Sequence, residues 1–451
     1  MTIPSSESHA EFLERMRRQF DFGPYPRYPI DMVPREVGNE LFYLNLTTPA
    51  YLQKRRVVET ADKVVLDAGC GTGYKALAMA KANPGAKVIG IDLSPRSIEL
   101  AQQRVAYHGY ENCAEFHVLS IEDIAQLGIQ FDYINCDETL YFFDDIAEGL
   151  AAFKSVLKPE GIIRANLHSA LQRQTFFQAQ ELFNLMGLME EEAEEMAVPI
   201  VIDIMKELKP EVFLKKMTWN PKLEDPDQDG NKEFLLANQL LKGDKGYRIS
   251  DMFDGLRRAD LEFLSMVEWR RWNLTDLFRE PDNLPSYLAM GLSESTPETM
   301  LTIYELLNPA HRLLDFWCTH PRQGPEPLPV AEWSLGDWLN SRITLHPQLR
   351  TEAVKEAALE AIQQNGPFII STFLSLPTLS PVTISYDVAA LLLQLWNGPQ
   401  PFAALVNFWQ QTHPVNLLTL EPITPEAAAQ QVADALGKLE VFLYVLPEQM
   451  A

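Results

Sequence analysis

Residues Lys63 to Gly73 read KVVLDAGCGTG, a short apolar run closed by Asp67 and followed by three glycines in five residues. Such a run describes a strand buried on both faces, as in a parallel sheet. The glycines then describe a tight turn, with a helix opening at about Tyr74. A side chain at Gly69 or Gly71 would keep the backbone away from a ligand, and glycine alone accepts positive φ freely. Something small is expected to be cradled there.

The ligand is narrowed by what is missing. A dinucleotide fingerprint requires a third glycine where Tyr74 stands. The Asp67 carboxylate would repel a pyrophosphate, yet it would attract an ammonium and a sulfonium, the two positive charges of S-adenosylmethionine. A glycine turn that binds nothing, or one that holds another ligand of a Rossmann-like sheet, stays open as an alternative. The string DAGCGTG, together with a second strand, KVIGID, that ends in Asp92, resembles the class I S-adenosylmethionine-dependent methyltransferases. The resemblance implies that Asp67 lies near the amino-acid end of the cofactor and that Asp92 takes the ribose hydroxyls.

From Lys63 onward the chain alternates strand and helix with short turns, which predicts a parallel sheet with right-handed crossovers. Strands are expected at Lys63 to Ala68, Lys87 to Asp92, Ala114 to Leu119, Phe131 to Cys136 and Gly161 to Leu167. Ser94-Pro95 is a cap and first-turn pair for a helix reaching about Tyr107. By the switch-point rule the ligand lies at the carboxyl ends of these strands. The cofactor-binding candidates are therefore Asp67, Gly69, Cys70, Gly71, Gly73, Asp92, Leu93, Ser120, Ile121 and Cys136. The family commonly carries an acidic residue at the end of strand three, where this chain has Ser120, with Glu122 two residues on. After strand four the sequence is Asn135-Cys136-Asp137-Glu138-Thr139, unlike the Asn-Pro-Pro-Tyr of enzymes that methylate base nitrogens. Asp137, Glu138, Tyr141 and His168 fall at the same sheet edge and are the catalytic candidates, to orient an amine or to act as a base.

Charge limits the acceptor. Against 62 acidic residues the chain has only 38 basic ones, a formal net charge of −24, and it lacks the basic stripe a phosphate backbone needs, so nucleic acid is disfavoured and a basic segment of a protein fits better. No run approaches the ~20 apolar residues of a membrane span, and the first twenty residues have no apolar signal core, so a cytoplasmic location is expected. Cys70, Cys113, Cys136 and Cys318 lie far apart and predict neither zinc nor disulfides. Asp225 to Gly230 begins like a calcium loop but has Leu236 at its twelfth position, which predicts a turn and no metal.

The expected architecture is α/β, a Rossmann-like methyltransferase sheet with helices on both faces. An N-terminal helical arm spans 1–60 and carries the aromatic segment Tyr25-Pro26-Arg27-Tyr28. The methyltransferase domain spans 61–275, with a helical insertion at 171–245 standing over the pocket, and a mainly helical C-terminal domain spans 296–451. Residues 190–195 form an acidic run, and 198–205, VPIVIDIM, suit helix or strand equally. His311 and Cys318 are expected to be core or interface residues. Asp315-Phe316 and Leu392 to Val406 resemble the C-terminal regulatory part of bacterial protein lysine methyltransferases. Protein N-methylation is the leading expectation. Its alternatives are a small-molecule methyltransferase and a non-catalytic S-adenosylmethionine-binding assembly factor, and the oligomeric state is left open.

Overall fold

The computed structural model of the chain describes residues 9–34, 39–190, 194–225, 230–292, 294–415 and 420–450. Its main sheet has seven strands: β1 (Val64–Ala68), β2 (Lys87–Asp92), β3 (Ala114–Val118), β4 (Phe131–Cys136), β5 (Leu157–His168), β6 (Glu262–Met266) and β7 (Leu313–Thr319). Their order is β3-β2-β1-β4-β5-β7-β6. The pairs from β3 to β5 are parallel, and β7 runs antiparallel between β5 and β6. Strand order reverses between β1 and β4, and the carboxyl ends of these two strands open onto a crevice.

Alternation along the strands explains why the sheet is covered on both faces. Val65, Val88, Ile162 and Trp317 join one buried cluster, while their neighbours Leu66, Ile89, Ile163 and Phe316 join the other. Successive side chains point to opposite faces, so an unbroken apolar run requires a layer on each side. On the first face lie α2 (Asn39–Leu44), α3 (Thr47–Lys54), α4 (Tyr74–Ala82) and α5 (Pro95–Tyr107); on the second lie α1 (His9–Phe22) and α6 (Ile146–Ser155). Ser94 caps α5 as expected, its hydroxyl accepting from Ser97 N–H at 3.0 Å.

The insertion holds α7 (Gln174–Leu185), α8 (Glu194–Glu207), α9 (Phe213–Thr218) and α10 (Asn231–Ala237) around an apolar cluster of its own. The ambiguous stretch 198–205 is helical because Val198, Val201, Ile202 and Met205 recur at i, i+3, i+4 and i+7, and all four are buried. Much of the acidic run at 190–195, and residues 226–229 of the calcium-like turn, lie outside the described residues. The chain then returns through α11 (Ile249–Arg258) to β6. β7 lies well past residue 275 yet sits inside the main sheet, which thus draws on the chain as far as Thr319.

Beyond Pro321 the chain is mainly helical, with its longest helix at Pro425–Glu440, and also carries a three-stranded sheet of Ser341–Leu345, Gln400–Pro401 and Val445–Gln449. It packs on α2 and α3. Tyr51 donates to the Pro447 carbonyl at 2.9 Å, and Thr48 Oγ1 lies 3.0 Å from His346 Nε2. Cys318 is buried in β7, and His311 stacks on Trp272 at 4.2 Å, both packing roles. Among the described residues no helix is long and apolar enough to cross a membrane.

Candidate active site

The turn after β1 is stitched to the end of β2. Gly69 N–H and Cys70 N–H both donate to the Ile91 carbonyl at 2.9 Å. The Asp92 carboxylate accepts from Gly71 N–H at 2.9 Å and from Ser94 N–H at 2.8 Å. Gly69, Gly71 and Gly73 all have positive φ. The open side of Gly71, however, faces the chain itself: a Cβ there would collide with the Tyr25 carbonyl oxygen. That carbonyl accepts from Thr72 N–H at 3.0 Å, and Thr72 Oγ1 donates to the Pro26 carbonyl at 2.7 Å. The glycine is therefore required for docking the N-terminal arm. A Cβ at Gly69 would likewise meet the Thr139 hydroxyl.

The arm is clamped from beneath by Arg104, whose side chain is buried. Its Nε donates to the Thr72 carbonyl at 2.9 Å, and its two terminal nitrogens to the Pro29 and Tyr28 carbonyls at 2.7 Å each. A guanidinium satisfied by backbone oxygens in this way fixes the path of the loop that presents Tyr25 and Tyr28.

Under the arm lies a cavity of about 760 Å³ at the carboxyl ends of β1, β2 and β4, closed on the far side by α10 of the insertion. Of the candidates from the sequence, Asp67, Gly69, Cys70, Gly71, Asp92, Leu93, Ser120, Ile121, Asp137, Glu138 and Tyr141 line it; Gly73, Cys136 and His168 do not. Gly73 caps α4, and Cys136 is buried inside β4. Asp67 is buried, with Oδ1 accepting from Asn135 Nδ2 at 2.8 Å and Oδ2 without a hydrogen-bond partner. Burial pushes its carboxyl up to about 7 and that of Asp92 up to about 6. An orphaned buried carboxylate oxygen in a cavity wall is suited to an ammonium, so the residues present fit S-adenosylmethionine.

The cavity wall that follows β4 is built around Glu138, which sits at φ 56° with its N–H donating to Asn166 Oδ1 at 2.8 Å. His168 Nε2 and the Tyr141 hydroxyl approach its Oε2 at 3.0 and 3.3 Å, and the Arg312 guanidinium pairs with the same carboxylate. Burial raises the Glu138 carboxyl, but the His168 hydrogen bond and the Arg312 charge outweigh it and leave the group below its usual range. His168 stacks on Tyr141 at 3.9 Å, and its Nδ1 lies 2.5 Å from Asp244. Asp244, fully buried, also meets Arg173 and Gln180, both at 2.9 Å.

Both ring nitrogens of His168 are thus engaged, and the side chain props Glu138 from behind. Asp137 is engaged as well, with Arg164 at 3.0 Å, Lys75 at 3.3 Å and Asn166 Nδ2 at 2.6 Å. Burial would raise its carboxyl, yet Arg164 and Lys75 hold it well below the carboxylate range. Arg164 reaches on to Asp315 of β7 at 2.7 Å. Lys75, Arg164, Arg173, Asp244 and Arg312 are the members that sequence reasoning missed. Of these only Arg164, a lone charge in an apolar strand, left a local sign.

Among known proteins, a methyltransferase-domain family matches residues 59–226. An uncharacterized protein of Synechococcus sp. is 28% identical over 317 residues, 66% of this chain and 72% of that relative. A malonyl-[acyl-carrier protein] O-methyltransferase of Halalkalibacterium halodurans is 27% identical over 133 residues, 30% of this chain and 48% of its own. The solved structure of PKMT2 from Rickettsia typhi covers 93% of this chain and 76% of its own with a TM-score of 0.57 at 16% identity, and the same protein is known in complex with AdoHcy. At that identity the likeness is one of fold, and it extends past the sheet into the C-terminal part. The glycine turn with its two carboxylates, the 3-2-1-4-5-7-6 sheet and the matched residues show that this chain carries a class I S-adenosylmethionine-dependent methyltransferase domain.

Proposed function

We propose that this methyltransferase methylates the side-chain amine of a basic protein segment. The observation that carries the reading is the part of the cavity beside the glycine turn, where Glu138 and the Tyr141 hydroxyl form an acidic, aromatic-walled patch near Tyr25. An ammonium is attracted by a carboxylate and by ring faces alike. The formal charge of −24 favours encounter with a basic partner. The likeness to PKMT2 along the C-terminal part supports an acceptor large enough to need that part. The cytoplasm is the compartment we propose, in keeping with four cysteines that are all free.

S-adenosylmethionine, when bound, supplies an electrophilic methyl group on a sulfonium. In this reading Asp67 holds its ammonium and Asp92 its ribose hydroxyls, while Leu93, Ser120 and Ile121 flank the adenine. Glu138 receives the acceptor ammonium and takes one of its protons, which frees the nitrogen lone pair for attack on the methyl carbon, and Tyr141 limits its approach. His168, pinned by Asp244, keeps Glu138 in place and is a positioning residue. The arm and α10 exclude water, so alignment in a dry site can supply much of the acceleration.

The test is incubation of methyl-labelled cofactor and the protein with an extract of cells lacking it, followed by separation into macromolecular and small fractions. Protease-sensitive label that yields N-methyl-lysine on hydrolysis is expected. Label confined to the small fraction would replace the reading with small-molecule methylation, the chemistry suggested by relatives such as the one that covers 30% of this chain.

A further inference from the structure

The carboxylates next to Glu138 are paired with cations. Asp137 has Arg164 and Lys75, and Asp244 has Arg173. For Glu138 the lysine or arginine within ion-pair distance, among the described residues, is Arg312. Unlike Arg164 and Arg173, which are fully enclosed, the Arg312 side chain is 45% exposed and lines the cavity. Its guanidinium spans both oxygens of Glu138 and also lies 3.2 Å from His168 Nε2. Its backbone, by contrast, is fixed: the Arg312 carbonyl accepts from Ser169 N–H at 2.9 Å, just before β7. The side chain thus has open space beside it while its root is fixed.

We propose that Glu138 and Tyr141 form the cation subsite for the acceptor, and that Arg312 is a placeholder in it, displaced when the acceptor's alkylammonium enters. The inference rests on the amine reading above and sharpens it. A protonated amine can take the place of the guanidinium and leave the Glu138 carboxylate with a cation, whereas a neutral acceptor has no charge to exchange and leaves Arg312 on Glu138. Arg312 therefore keeps neutral acceptors out of the subsite. Such a built-in competitor also weakens acceptor binding, since the free subsite is populated only in part.

The test uses the whole protein saturated with S-adenosylhomocysteine and two isosteric probes, n-butylammonium and n-butanol, with binding read by calorimetry or NMR titration. Arg312→Ala is expected to tighten n-butylammonium at least tenfold, with n-butanol unchanged; Glu138→Gln is expected to abolish the preference for the cation. Arg312→Lys, which keeps the charge but loses the two-oxygen span, should fall between wild type and Arg312→Ala, and it carries the test if the alanine variant fails to fold. Unchanged or weaker n-butylammonium binding in the arginine variants would overturn the placeholder, and so would equal tightening of both probes, which reports space alone. Protein labelling in the extract experiment together with unaltered n-butylammonium binding would sink the placeholder and leave the protein-acceptor reading standing. The reverse pair would keep the placeholder and assign the subsite to a small amine.

Discussion

Gly71→Ala tests whether the glycine turn serves the arm as well as the cofactor. In the structure Gly71 has φ 50°, and a Cβ there would run into the Tyr25 carbonyl oxygen. Holding a residue with a side chain in the left-handed region costs about 1–2 kcal/mol. To clear the collision the arm must lift, giving up the Thr72 N–H bond to Tyr25 at 3.0 Å and the Thr72 hydroxyl bond to Pro26 at 2.7 Å. These contribute about 1 kcal/mol each, for a total of about 3–4 kcal/mol. Gly109 is the matched control, with φ 75° and nothing within 4 Å of an added Cβ, so Gly109→Ala isolates the backbone cost. Urea unfolding of the two variants should place Gly71→Ala about 2 kcal/mol below Gly109→Ala. Limited proteolysis should reveal new cleavage near Arg27, and S-adenosylhomocysteine should bind more weakly if the turn, with its bond to Asp92, moves in place of the arm. Equal stabilities within about 0.5 kcal/mol, together with an arm that stays protected, would refute the reasoning.

Four further outcomes follow from the buried charges. Arg104→Met should cost about 3 kcal/mol and release the arm to protease, because three carbonyls lose their donor; Arg104→Lys should recover less than half, since an ammonium cannot fork to all three. Arg164→Met should destabilise by about 3–5 kcal/mol in denaturant melts, as it leaves Asp137 and Asp315 buried together, and adding Asp315→Asn should restore a large part of that loss. Asp67 is raised to about 7 by burial, so it is protonated in the free protein below that pH. An ammonium favours its charged form, so affinity for S-adenosylhomocysteine should rise up to tenfold per unit as pH increases towards 7 and level off above it. Asp92, raised to about 6, contributes in the same direction at lower pH, so Asp67→Asn should remove chiefly the rise above pH 6. The stability of the unliganded protein runs the other way. With a folded pKa above the ordinary 3.8, Asp67 adds stability that is fully present below about pH 4 and is lost as pH rises through 7, of order 4 kcal/mol at most.

The central strands and their helices were legible because their signals are local. β2, α4, α5 and β4 fall on the expected residues, each bounded by glycine, proline or an aspartate that ends its apolar run. β7 was not legible. A seven-residue run that is apolar toward both faces apart from Asp315 and Thr319 suits a buried helix or a buried strand equally, and its place between β5 and β6 depends on pairing with Ile162 to His168, far away in sequence. The insertion was visible as an excess of chain after β5, and its own apolar cluster shows why it packs as a unit over the cavity.

The sequence by itself determined the donor half of the site. A strand, a glycine turn and an acid at the end of the next strand lie within thirty residues, and the pleat and the crossover rule bring them to one edge whatever the rest of the chain does. Tertiary structure alone decided the surroundings of Glu138, the proposed acceptor half. It turned Gly71 toward Tyr25, withdrew His168 and Asp137 into ion-pair networks, and set Arg312 on Glu138 across 174 residues of chain. Charge pairing acts through space over a few ångströms and leaves no period or spacing along the chain, so these partners become visible only once the sheet has closed.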